Sequence, residues 1–256
     1  MKEFYNRTVY GLYYDPLAPR KVPERYNFII EEIRTLLKKK HPRVLEIGSE
    51  NPSIPAYWST QLNAPASECM LVDINSHSKK VLQEAGFNVE VLDICTDKVP
   101  CDAGIFDVVI LSEVLEHLLD VDSALSEIRR IISQNGIMVV TTPNLASWAN
   151  RIQLLLGFQP LYTETGREWV FGRGPLIRPN RPVGHLQVYT LPGLEGLLTY
   201  HSWNIKKKRG LPWSAELEPS PHLRRIDRFF SSIPSLASGL LLIATPNAST
   251  EGPSDH

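Results

Sequence analysis

Cysteine is scarce in this chain: Cys69, Cys95 and Cys101 are the three among 256 residues. Their spacing fits no zinc pattern, so no metal site is expected, and the odd thiol argues against a disulfide framework. A reducing, cytoplasmic setting is the expectation. Long apolar runs are also missing. The longest, "SGLLLIA" (238–244), has the length of a buried strand, so no membrane span is expected. The opening "MKEFYNRTVY" lacks the apolar core of a signal peptide. Charge of one sign is absent as well. A formal net charge of -1 provides no basic field for nucleic acid, which is not expected as a partner. Short basic clusters at Lys38–Lys40 and Lys206–Arg209 read as solvated faces or strand ends. There is no internal repeat, and the polar "NASTEGPSDH" (247–256) reads as a frayed tail.

The most informative shortage is of glycine in "VLEIGSENPS" (44–53). An apolar run ending in Glu46-Ile47-Gly48 has the start of a nucleotide-binding turn. A pyrophosphate loop, however, needs further glycines and an open helix N-terminus, and Glu50 stands where the second glycine would be. A carboxylate there repels phosphate, which disfavours a nicotinamide oxidoreductase. A ligand with an adenosine, a cationic end and no phosphate fits better, and S-adenosylmethionine is such a ligand.

The rest of the pattern agrees. Short Val/Ile/Leu-rich runs at 43–48, 68–74, 88–94, 106–112 and 136–143 alternate with helical spacing at 25–40, 76–86 and 120–136. Such alternation predicts an α/β, doubly wound, mostly parallel sheet. Two further strands at 203–210 and 237–246 bring the count to seven, the last two able to pair as an antiparallel edge, with helices at 191–202 and 221–233. The organisation expected is an N-terminal cap and first helix (1–40), one catalytic domain (41–246) and the tail. The segment 144–190 is too long for a simple connection and reads as a substrate-side insertion.

In doubly wound sheets, ligands lie beyond the carboxyl ends of the strands. The residues there are Glu46 and Gly48 after the first strand, Asp73-Ile74 after the second, Asp93-Ile94 after the third and Ser112-Glu113 after the fourth. A carboxylate presents two acceptor oxygens to the paired hydroxyls of a ribose, which suits Asp73. Asp93 and Ile94 suit an adenine amino group and ring face.

"VLEIG", "LVDIN", "VLDI", "FDVVILSEVLEHLLD" and "ALSEIRRIISQNGIMVVTTPN" together resemble the successive motifs of class I S-adenosylmethionine-dependent methyltransferases, of the type 11, ubiquinone-methylase-like subgroup, over roughly residues 40–145. The chain departs from that pattern at Glu50 and Pro52. The resemblance implies that Glu46 and Gly48 line the methionine and ribose side, that Asp73 binds the ribose with Ile74 against adenine, that Asp93 and Ile94 contact adenine, and that Ser112 and Glu113 lie under the methionine. A catalytically inactive binding or scaffold module is the alternative. For an oxygen acceptor a base is needed, and His117 or His185 is the candidate, with His201 read as a helix end. Tyr5, Tyr10, Tyr13 and Tyr14 could cover the site. Trp148, Asn150, Arg151, Arg167, Trp169, Arg173, Arg178 and Arg181 suit an anionic or sugar-like acceptor. The segment after "TPN" resembles methyltransferases of surface-polysaccharide pathways, which implies O-methylation of a glycan or another small molecule.

Overall fold

The structure, a computed structural model, describes residues 21–49, 51–174, 182–213 and 221–247. Tyr5, Tyr10, Tyr13, Tyr14, Glu50, Arg178, Arg181 and the tail lie outside the described residues.

Seven strands form one sheet: β1 (Val44–Ile47), β2 (Met70–Asp73), β3 (Asn88–Val91), β4 (Phe106–Ser112), β5 (Ile132–Pro143), β6 (Trp203–Leu211) and β7 (Gly239–Pro246). Their order is β3-β2-β1-β4-β5-β7-β6. The first five run parallel, while β7 is antiparallel to both β5 and β6. The seven strands and the antiparallel edge agree with the sequence pattern. The order reverses between β1 and β4, where a crevice opens at the carboxyl edge.

Helices cover both faces. They are α1 (Glu24–Leu36), α2 (Ser53–Leu62), α3 (Lys79–Glu84), α4 (Val121–Ile131), α5 (Trp148–Leu155), α6 (Leu191–Tyr200) and α7 (Pro221–Ser231). Successive strand side chains point to opposite faces, and both faces are buried, which is why the strands read as unbroken apolar runs. Leu45, Val109, Leu111, Met138, Val140 and Leu242 pack with Leu125 and Ile128 of α4 and Leu194 and Leu198 of α6. Their neighbours Val44, Val108, Ile110, Val139 and Ile243 pack with Ile29 and Ile33 of α1 and Trp58 of α2.

Three boundaries differ from the pattern, and one helix is added to it. The helix expected to 136 stops at Ile131, because Ile132 turns extended and pairs with Phe106 of β4. The helix expected to 40 stops at Leu36, ahead of three adjacent lysines and Pro42. The third strand ends at Val91, so Asp93 sits in a turn. Helix α2 was missed. Its start, "NPSIP", looks like loop, yet Asn51 accepts a bond from the Ser53 amide through Oδ1, and Pro55 lies in the first turn, where its missing N–H costs nothing.

The basic run on β6 is taken up internally. Lys207 and Arg209 pair with the buried Glu32 of α1, whereas Lys208, on the opposite face, pairs with Glu195 of α6. This ties α1 and α6 to the sheet edge.

A second ion pair fixes the approach to β4. The Glu127 carboxylate accepts both Arg130 Nε and Nη2, at 2.8 and 2.6 Å, and the Val99 amide at 2.8 Å. Arg130 also donates to the carbonyls of Val99 and Cys101. The hydrogen bonds from Arg130 hold the Glu127 carboxyl below its ordinary range. As pH falls, the unfolded chain therefore takes up this proton first, and the stabilisation is lost. Glu127→Gln is expected to cost about 2 kcal/mol at pH 7, and the gap from the parent chain is expected to narrow below about pH 4. Urea unfolding at both pH values checks this, and a gap independent of pH would refute it.

Candidate functional site at the carboxyl edge of the sheet

Gly48 ends β1 at φ +84, and its amide donates to Val72 O at 2.8 Å. A Cβ there would lie 2.6 Å from Val114 Cγ2. The backbone at this point thus requires glycine for conformation and for room alike. The cause of the crowding is the β4 exit, which passes directly alongside.

Glu46 is fully buried, and its carboxylate is engaged by the protein itself. Tyr26 Oη donates to Oε1 at 2.7 Å, while Ser49 Oγ and Trp58 Nε1 donate to Oε2 at 2.7 and 3.0 Å. Burial pushes its pKa up, and the three donors oppose that shift. Glu46 therefore binds α1 and α2 to the end of β1 and shapes the loop at Gly48.

Asp73 closes β2 beside that loop. Oδ1 accepts the Asn75 amide at 2.7 Å, which turns the chain away from the sheet and leaves Ile74 half-buried at the rim. Asp93 closes a turn, its Oδ1 accepting the Cys95 amide at 3.0 Å. Ile94 is buried among Leu92, Cys95 and Val99.

A polar chain crosses the floor of the crevice. Arg25 Nε donates to Ser112 Oγ at 2.9 Å, Ser112 Oγ lies 3.2 Å from Thr141 Oγ1, and Thr141 Oγ1 donates to Glu113 Oε1 at 2.9 Å. Because Thr141 spends its only proton on Glu113, the Ser112 hydroxyl donates to Thr141, and every bond in the chain has one direction. Glu113 itself adopts φ +57, an unusual conformation for a non-glycine residue, and its amide is held by Thr141 O at 3.0 Å.

Beyond Glu113 stands a second group. Glu116 is fully buried in the short 3-10 helix Leu115–His117, and its Oε2 accepts Thr142 Oγ1 at 3.1 Å. The insertion folds back over it, Leu186 and Gln187 donating their amides to Glu116 O. This brings His185 beside His117, with ring centroids 4.8 Å apart. His117 Nδ1 lies 3.0 Å from Gly184 O, and His185 Nδ1 lies 2.9 Å from Tyr162 O. A carbonyl only accepts, so both rings carry a proton on Nδ1, and each Nε2 has its lone pair. Burial, reinforced by the other imidazole, lowers His117 to about 4, and burial lowers His185 too. Both are neutral at pH 7. Burial, reinforced by Glu113, raises Glu116 well above the ordinary carboxyl range.

Gly48, Asp73, Ser112 and Glu113 thus stand at the carboxyl ends of the adjacent strands β1, β2 and β4, and His117 and His185 lie together beyond Glu113. His201 ends α6, its ring bonded to Asp122 at 2.6 Å. Several insertion residues serve packing instead. Trp148 donates to Asp227 and stacks on Phe230, and Asn150 bonds Asn144 O and both polar backbone atoms of Leu161. Arg151 bonds Ala146 O and Ser235 O. Arg173, by contrast, is half-buried and close enough to depress His185. Sequence reasoning missed Arg25 and Tyr26, which look like ordinary helix residues, as well as Trp58 and Thr141. The one available signal was the pair Thr141-Thr142 ending an otherwise apolar strand.

A family model described as "Methyltransferase domain" matches residues 20–205. No curated protein matches the chain. Among solved structures, an S-adenosylmethionine-dependent methyltransferase from Mesorhizobium loti is similar at 17% identity and TM-score 0.54, covering 84% of this chain and 96% of that one. The PH0226 protein from Pyrococcus horikoshii OT3 is similar at 17% identity and TM-score 0.54, covering 96% and 100%. A SAM-dependent methyltransferase from Archaeoglobus fulgidus is similar at 18% identity and TM-score 0.52, covering 86% and 93%.

Proposed function

Because the chain belongs to the methyltransferase-domain family and is a class I S-adenosylmethionine-dependent methyltransferase, we propose that its acceptor is an oxygen of a glycan or another small molecule. The cofactor supplies an electrophilic sulfonium methyl when bound. The residues present fit it: a buried carboxylate at the tip of β2, a glycine turn at β1 and no glycine-rich phosphate cradle. In this reading Asp73 holds the ribose hydroxyls, Ile74 with Asp93 and Ile94 borders the adenine, and Ser112 and Glu113 lie beneath the methionine. Glu46 acts through the loop at Gly48.

What the chain must then do is place the acceptor in line with the S–C bond and keep water out. Orientation of this kind is worth on the order of 7 kcal/mol or more. On methylation of a hydroxyl, its proton would pass to an imidazole Nε2, of His117 or His185. The observation that carries the oxygen reading is the pair of neutral imidazoles at the far side of Glu113, since methylation of a hydroxyl needs its proton removed. Arg173 and the half-exposed Trp169 on the insertion suit a sugar-like or anionic acceptor. Among the described residues no helix is long and apolar enough to cross a membrane.

Transfer of a 13C-labelled methyl group from the cofactor into carbohydrate extracts, read by NMR, tests this. An O-methyl ether carbon is the expected product. A label found only on nitrogen or carbon would remove the oxygen reading. The scaffold alternative predicts no transferred label at all.

A further inference from the structure

Glu116, His117 and His185 converge from two distant parts of the chain. One ligand atom from each lies within 4.8 Å of the others. Glu116 Oε1 is buried and makes no hydrogen bond, and it faces His185 Nε2 across 4.0 Å, too far for a bond between them. An orphaned buried carboxylate oxygen is costly, so a gap of this size next to two imidazole nitrogens calls for an occupant. We propose that these three side chains bind one first-row transition dication.

The donor set is two imidazoles and a carboxylate, which suits Mn2+, Fe2+, Co2+, Ni2+ or Zn2+ and not Ca2+ or Mg2+. Around a tetrahedral ion with bonds of about 2.1 Å, ligand atoms sit about 3.4 Å apart, so side-chain shifts of ~1 Å close the site. The surroundings are those of a built site. Both Nδ1 atoms lie against backbone carbonyls, and Nε2 of His185 is the atom that faces Glu116. The carbonyl that holds His117 belongs to Gly184, whose amide, with that of Val183, is pinned by Glu164. Oε2 of Glu116 is fixed by Thr142, leaving Oε1 for the ion. Glu113 and Glu164 lend negative potential, opposed by Arg173.

The existence of the site stands on these contacts. Its role rests on the reading above: beside the crevice, the ion would gather an acceptor hydroxyl and acidify it, which replaces proton uptake by a histidine.

Cobalt(II) titration of the full chain, purified without a histidine tag, provides the test. One Co2+ per chain is expected, with visible d–d bands. His185→Ala and Glu116→Gln are each expected to weaken it at least 10-fold while leaving S-adenosylmethionine affinity, measured by calorimetry, within about 3-fold. If Glu116→Gln does not fold, anomalous diffraction from Co2+-soaked parent crystals must place the ion among the three residues. No d–d bands at millimolar Co2+, bands unchanged in His185→Ala, or an anomalous peak elsewhere would overturn the proposal. The two readings fail separately. Cobalt bound here with methyl transfer to nitrogen keeps the site and discards the oxygen acceptor, whereas O-methylation without cobalt binding does the reverse.

Discussion

Asp73→Ala is expected to weaken S-adenosylmethionine binding about 100-fold or more while the chain stays folded. The carboxylate ends β2 next to the β1 turn, beside the β1–β4 point where the strand order reverses and doubly wound sheets hold ligands. Two hydrogen bonds from ribose hydroxyls to a charged acceptor, at about 1.5–3 kcal/mol each, make ~3 kcal/mol a lower bound for their joint loss. That corresponds to the factor of about 100. Asp73 also accepts the Asn75 amide, which shapes the turn after β2. Asp73→Asn separates the two roles. The carboxamide oxygen keeps the turn but removes the charge and one acceptor, so intermediate affinity is expected with unchanged thermal stability. Calorimetry on the three proteins decides the matter, and parent-like affinity in Asp73→Ala would take the ribose away from this residue.

Glu46→Gln should show the opposite division, a loss of stability that precedes any question of binding. The three donors that converge on this carboxylate come from α1, the Gly48 loop and α2. A carboxamide has one acceptor oxygen, and its NH2 must face at least one of the Tyr26, Ser49 or Trp58 protons. The expected cost is about 3 kcal/mol, the loss of a buried acceptor plus an orphaned donor. For a domain of this size that is a fall of roughly 6–12 °C in Tm. Trp58→Phe removes one donor and leaves the carboxylate intact, so it should cost about 1 kcal/mol beyond any packing change. Denaturant unfolding of both variants measures the difference. Glu46→Gln within 1 kcal/mol of the parent would show that the carboxylate does not tie the helices to β1.

These two acidic residues, alike in the sequence as strand ends, differ because of what lies above them. Glu46 points to the face covered by α1 and α2 and is captured by side chains 20 and 12 positions away. Asp73 ends β2 and accepts the Asn75 amide of its own turn. Neither spacing nor residue type separates these cases, because the competitors arrive through packing. The same holds for His185. Its distance in sequence from Glu116 conceals the cluster, which forms only because the insertion returns and donates two backbone amides to Glu116 O. A pattern search looks for ligands at short, regular spacing and passes over it.

The amino-acid sequence by itself determined the sheet. Buried strands in parallel α/β sheets are apolar on both faces, and that signature is local, so seven strands, their alternation with helices and the acidic tips could be read directly. Local signals could also have given α2, through Asn51 and a first-turn proline. Tertiary structure alone decided that Glu46 is held by α1 and α2, where α4 yields to β5, and which histidines meet. Each of those outcomes is a competition for a hydrogen bond or a strand partner between groups far apart in the chain, and its winner is set by where the folded elements place them.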